Sequence, residues 1–180
     1  MRKVLILVAA SIVSSACWGQ TPEMGPPTEL KAFDWLVGSW TADKSSFSLP
    51  DMGPMEVTST LTAVWDGQFL KQTSVMDFGV MSMTETMMFG YDPDKKEYFS
   101  HAFTNMAPLP RIEHGKMENG SLVMVSDPWD VMGGDTVSRG TVTKIDDDTF
   151  KLKIEFKVDD SWVVANESTF HRKKESPSAR

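Results

Sequence analysis

From about residue 38 onward the chain alternates apolar and polar side chains with a period of two. The clearest run is Phe150 to Val158, where Phe150, Leu152, Ile154, Phe156 and Val158 alternate with Lys151, Lys153, Glu155 and Lys157. Successive side chains of a strand point to opposite faces, so this run sets an apolar face on a core and a charged face in water. Met55, Val57, Leu61, Ala63 and Trp65 alternate likewise with Glu56, Thr58, Thr60 and Thr62. Similar stretches at 38–43, 69–78, 81–91, 97–105, 111–117, 121–127, 136–145 and 162–173 predict further strands. Turn-forming residues separate them: Asp66-Gly67, Asp92-Pro93-Asp94, Glu118-Asn119-Gly120, Asp146-Asp147-Asp148 and Asp159-Asp160. Consecutive strands joined by short turns form a meander, and closing a meander of about ten strands removes both of its exposed edges. The predicted fold is therefore all-β, an antiparallel meander closed into a barrel over residues 28–174.

Ahead of the strands, Thr28 is placed to N-cap a short helix from Glu29 to Val37, with Glu29 in its first turn. Gln20 to Pro27 is a Pro-rich linker, and Glu175 to Arg180 reads as a frayed tail. The N-terminus carries an address. Arg2 and Lys3 precede the apolar run Val4 to Val13, and Ser14, Ser15 and Ala16 supply small residues for cleavage. Residues 1–19 thus predict a secretory signal peptide, too short for a membrane span, and a periplasmic or extracellular protein. Ser14-Ser15-Ala16-Cys17 lacks the Leu usual three residues before a lipidated Cys, so Cys17 is expected to be a bystander rather than a lipid anchor.

Composition narrows the function classes. The 180 residues amount to one domain. The single Cys excludes a disulfide scaffold and a Cys-based zinc cluster. A net charge of −7, with basic residues concentrated only around Arg172-Lys173-Lys174, argues against nucleic acid as a partner.

Leu36-Val37-Gly38-Ser39-Trp40 resembles the Gly-x-Trp start of lipocalins and other calycin-type barrels. Phe33-Asp34-Trp35-Leu36-Val37-Gly38-Ser39-Trp40, Trp65-Asp66-Gly67-Gln68-Phe69-Leu70, Phe89-Gly90-Tyr91-Asp92 and Phe170-His171-Arg172-Lys173 together resemble a bacterial family of unknown function, domain-of-unknown-function family 1579. The resemblance spans residues 28–174 and implies a calycin-like barrel without implying an activity. That family usually has Tyr at the position of His171. Haem-binding nitrobindins, another barrel family with an early Gly-x-Trp, hold iron through a late His. In this chain His171 shares a strand face with Glu167 and Lys173, which points it to solvent.

The candidate chemistry lies on strand faces expected to point inward. His101 stands between Phe99 and Phe103, and Glu85 lies in the row Met81, Met83, Glu85, Met87, Phe89. If Asp92 to Lys96 form the turn, Met87 faces His101, and Glu85 and His101 become diagonal neighbours. Such a pair would orient a ligand or act as acid and base. Asn166 and Ser168 fall on the expected inner face of the last strand and offer hydrogen bonds to a polar group, or to a buried water. The remaining lining is expected from Val57, Leu61, Met83, Met87, Phe89, Phe99, Phe103, Phe156, Val164 and Phe170. Met81, Met83 and Met87 share that face and read as cavity filling rather than as a copper site, because one strand does not converge soft ligands. Asp146-Asp147-Asp148 lacks the spacing of a calcium loop. The loop from Asp127 to Asp135 reads as a rim or lid with Trp129 as its cap.

The expected function is binding of a small apolar or amphipathic molecule, with Glu85, His101, Phe103, Asn166 and Ser168 as ligand contacts and no catalytic, metal or cofactor group assigned. The rival readings are an enzyme using Glu85 and His101, and a packed barrel with a structural or protein-binding role. Closure also predicts that Arg172, near the end of the last strand, stacks on Trp40, near the start of the first.

Overall fold

A computed structural model describes residues 25–48, 53–131 and 134–174. The expected signal peptide, Cys17, residues 20–24 of the linker and the tail from 175 lie outside the described residues. A four-residue helix α1 (Thr28–Lys31) and a 3-10 turn (Asp34–Leu36) lead into thirteen described strands. These are β1 (Gly38–Ala42), β2 (Ser45–Phe47), β3 (Met55–Asp66), β4 (Phe69–Asp77), β5 (Ser82–Asp92), β6 (Glu97–Thr104), β7 (Arg111–Glu118), β8 (Ser121–Ser126), β9 (Trp129–Val131), β10 (Gly134–Thr136), β11 (Ser138–Lys144), β12 (Thr149–Val158) and β13 (Ser161–Arg172).

The sheet closes. Trp40 of β1 pairs with Leu61 of β3 on one side and with Arg172 of β13 on the other. β2 continues the same position, with Phe47 paired to Met55 of β3 and to Asn166 of β13. β1 and β2 together count as one bent strand, so the all-antiparallel barrel has ten strand positions. β9 and β10 form a separate hairpin within the connection from β8 to β11.

The single helix expected over Glu29–Val37 is broken in two. Pro27 occupies the cap of α1 without a side-chain bond, and Thr28 lies inside the helix. The cause is a three-residue repeat: Leu30, Phe33 and Leu36 are all buried, and spacing by three keeps them on one side of a tighter, 3-10-like path. They stopper one end of the barrel. Phe33 meets Phe89 and Tyr98 edge-on at 5.2 and 5.3 Å. The Trp40 indole N–H donates to the Leu36 carbonyl (2.8 Å), and that of Trp65 to Asp34 Oδ1 (3.0 Å).

Arg172 locks this end. Its guanidinium lies 4.2 Å from the centroid of the fully buried Trp40 ring. Nη1 donates to the Val37 carbonyl (2.7 Å), and Nη2 to the carbonyls of Trp35 (2.6 Å) and Asp147 (2.8 Å). Nε reaches Asp148 Oδ1 at 2.9 Å. Gly38 makes room for it: at φ +126° an added Cβ would stand 2.8 Å from Nη1. The Asp146-Asp147-Asp148 turn serves as one wall of this Arg172 socket.

β13 carries a bulge at Ala165, since Ile154 pairs with Asn166 but Glu155 with Val164. An extra residue reverses the side-chain parity beyond it. Val164, expected inside, is therefore outside and half-exposed, while Ala165 and Asn166 are both buried. On the outer face of β12, Glu155 is buried rather than exposed. Arg139 Nε donates to it at 2.7 Å, Lys153 Nζ lies 3.3 Å away, and Arg139 also covers Trp162 at 4.4 Å. The hydrogen bond from Arg139 holds the Glu155 carboxyl below its usual range against the opposing effect of burial.

Candidate functional site

The interior has two packed clusters with space between them. One surrounds the stopper and includes Trp40, Phe89, Phe150 and Phe170; the other, towards the opposite end, includes Phe47, Met76, Trp129 and Phe156. Between them lies a cavity of about 200 Å³. Its wall is mostly apolar and rich in methionine, with Met76, Met83, Met87, Met106 and Met124 all contributing. Unbranched thioether side chains adapt their rotamers to an irregular surface, which suits a cavity that accepts rather than excludes an occupant. Gly140 of β11 also lines it, and an added Cβ there would meet nothing within 4 Å.

One charged cluster sits in this wall. Arg111 and Glu113 are two apart on β7 and so share its inner face. Arg111 Nε donates to Glu113 Oε1 at 3.0 Å, and Ser100 Oγ of β6 donates to Glu113 Oε2 at 2.6 Å. Glu85 of β5 approaches from the other side, with Arg111 Nη1 2.9 Å from its Oε2. That contact pairs the two charges directly. Burial works to lower the Arg111 pKa, but attraction to Glu113 and then Glu85 outweighs it and raises the value, fixing the cation. Trp129 of the β9–β10 hairpin covers the guanidinium at 5.0 Å and donates its indole N–H to Ser138 Oγ at 3.3 Å. The loop expected to be a rim is thus partly a hairpin that lays its Trp over this cluster.

The structure separates the other expected contacts. Glu85, Asn166 and Ser168 line the cavity; His101 and Phe103 do not. The β5–β6 turn is Pro93–Lys96, one residue shorter than expected, so Asp92 pairs with Glu97 and Met88, not Met87, faces His101. The Asp92 carboxylate tightens that turn by accepting from the backbone N–H groups of Asp94 and Lys95 at 3.0 and 3.1 Å. A one-residue slip moves every side chain of a strand to the other face. Tyr98, Ser100 and Ala102 point inward, and Phe99, His101 and Phe103 point out, Phe103 with 56% of its surface exposed. Phe99 is held outside because its ring covers Gly90, where a Cβ would come within 2.4 Å of it. Glu85 and His101 therefore lie on opposite faces of the sheet, which removes the acid–base pair of the enzyme reading.

Asn166 and Ser168 are buried but already satisfied. Asn166 Nδ2 donates to Ser45 Oγ and the Ser46 carbonyl, both at 2.9 Å, and Ser168 Oγ donates to Asn166 Oδ1 at 2.7 Å. They tie β2 across to β13. His171 is outside, 3.2 Å from Asp43 Oδ2.

The fold and the spacing of these pieces are now matched by comparison. The family model described as "Protein of unknown function (DUF1579)" covers residues 26–172. The chain belongs to the DUF1579 family. No curated protein matches this DUF1579 chain in sequence. Among solved structures, the crystal structure of Rv2717c from M. tuberculosis matches with a TM-score of 0.66 at 15% identity, over 83% of this chain and 99% of that chain. At that identity the likeness is one of fold. Arg111 and Glu113 of the DUF1579 chain escaped the strand pattern because β7 has polar residues on both faces. The alternation Arg111, Glu113 against Ile112, His114 is read correctly only once Ser100 is known to face inward.

Proposed function

We propose that this protein binds a small amphipathic molecule inside its barrel, acting outside the cytoplasm. The carrying observation is the apolar cavity of about 200 Å³ with Glu85, Arg111 and Glu113 gathered in one cluster of its wall. Apolar burial supplies affinity in such sites, and a few placed polar groups fix orientation. Side chains enclose the cavity on most sides, and Gly140 leaves room in its wall for a larger one. The signal-like residues 1–19 support the location, and an intact mass beginning after residue 16 or 19 in protein recovered from the cell envelope or medium tests it.

The binding test uses a neutral, environment-sensitive naphthyl probe such as N-phenylnaphthylamine, titrated into wild type and Gly140→Phe. A strand position whose φ is not left-handed accepts Phe, and the ring would occupy the space the probe needs. Wild type is expected to bind in the micromolar range, about −8 kcal/mol. Gly140→Phe is expected to lose that binding while melting at or above the wild-type temperature. No wild-type binding, or equal binding by a folded Gly140→Phe, refutes the proposal.

A further inference from the structure

Resting on that binding reading, we infer that the ligand carries a cationic, hydrogen-bond-donating head, an amine rather than an acid, and that Glu85 receives it. The obvious anchor for an acid is Arg111, but Arg111 is engaged on both sides, by Glu113 at 3.0 Å and Glu85 at 2.9 Å. Glu113 is spent as well, with one oxygen on Arg111 and the other on Ser100. Arg139 also reaches the cavity wall, but its guanidinium is bound to Glu155 on the outer face. The charged side chains left in the cavity wall are two carboxylates and one guanidinium, an excess of one negative charge in a mostly apolar enclosure.

Glu85 is the incompletely answered member. Arg111 answers one of its oxygens, Oε2, at 2.9 Å, whereas both oxygens of Glu113 are answered. A carboxylate offers about four acceptor sites on its two oxygens, so Glu85 keeps capacity for a ligand donor. An ammonium placed beside Glu85 uses that capacity and cancels the excess charge. A carboxylate placed there meets two like charges at close range in low dielectric, where repulsion is least screened. Ser74, paired directly across from Glu85 on β4, and Gln72 beside it supply further hydrogen-bonding groups around the head. Met83 and Met87 flank Glu85 on the same strand face and border the apolar body.

The test titrates the full chain with n-octylamine, n-octanol and n-octanoate at neutral pH, read by tryptophan fluorescence, with Trp129 covering the site. The same chain length holds apolar burial constant, so the head group sets the order. Octylamine is expected to bind about tenfold or more tightly than octanol, and octanoate more weakly than octanol. Glu85→Gln is expected to bring octylamine to within about threefold of octanol, since a neutral amide keeps the shape without the charge. Gly140→Phe is expected to block all three. If none of the three binds wild type, the binding reading itself fails and the head assignment with it. If they bind but octanoate or octanol equals or exceeds octylamine, the cavity stands and the amine head is overturned, a result that needs no variant to fold. Octylamine binding that persists in Gly140→Phe is attraction to the acidic surface and overturns the assignment as well.

Discussion

Replacing Arg172 by Met keeps an apolar stem over Trp40 and removes everything the guanidinium does. The indole loses a cation at 4.2 Å, a contact worth about 0.5–2 kcal/mol. The carbonyls of Trp35 and Val37 lose donors at 2.6 and 2.7 Å in part-buried positions, costing roughly 1–3 kcal/mol each and nearer the lower end where water enters. The ion pair with Asp148, an exposed partner, adds no more than about 1 kcal/mol. The expected total is about 3–6 kcal/mol, a large part of the ~5–15 kcal/mol that holds a typical domain folded. Urea melts at constant pH read the loss as a lower midpoint with an unchanged slope. Arg172→Lys keeps the charge but reaches one carbonyl rather than several, so it is expected to fall between wild type and Met. A double-mutant cycle with Trp40→Phe isolates the stacking part, expected at ~0.5–2 kcal/mol. A loss below about 1 kcal/mol for Arg172→Met refutes the idea that this side chain locks the barrel end.

Gly38→Ala is expected to cost about 2–3 kcal/mol, because Ala must adopt a left-handed φ and displace a pinned guanidinium. In an Arg172→Met background its cost is expected to shrink, which thermal melts of the four variants resolve. The Arg139–Glu155 pair predicts a pH signature. Glu155 has a depressed folded-state pKa, so its stabilisation is full above the ordinary glutamate range and is lost as pH falls through the lower folded value. Wild type and Glu155→Gln should therefore converge in stability under acid, and a gap that stays constant down to pH ~2 rejects the assignment. Phe150→Ala, which removes a ring stacked on Phe170 at 4.7 Å, is expected to cost about 3–5 kcal/mol, whereas Phe103→Ala should cost under about 1 kcal/mol. Equal costs in urea melts contradict the inward and outward facing given to the two rings.

The strands and their order were readable because alternation and turn residues are local signals, and closure follows from the edge problem alone. The Trp40–Arg172 contact was readable for the same reason: closure sets the first strand against the last in antiparallel register. The helix boundary was not, because Leu30, Phe33 and Leu36 fit a three-residue repeat and an ordinary helical face about equally well over so few residues. On β6, hydrophobicity pointed the wrong way. Phe99 and Phe103 look like core residues, but the turn length fixes the register, and the interior needs the small Ser100 and Ala102 where Glu113 must fit. The bulge at Ala165 has no local mark in composition, so the facing of Val164 could not be read from alternation. Asn166 and Ser168 are inside as the alternation implies, but their partner Ser45 belongs to β2, a three-residue strand too short to show alternation and beyond the expected strand at 38–43.

The seam between β1 and β13 joins residues more than a hundred positions apart, with Trp40 set against Arg172. A chain growing from its N-terminus can form the hairpins from β3 through β12 as each is made, but it stays an open sheet until β13 arrives. Until then β12 and β1 present unpaired backbone along two free edges, the surface on which chains pair with one another. Contacts of such long separation also make for slow folding, since the loop must close before they reward it. A translation stop ahead of β13, before residue 161, would therefore release a sticky open sheet rather than a slightly shortened barrel.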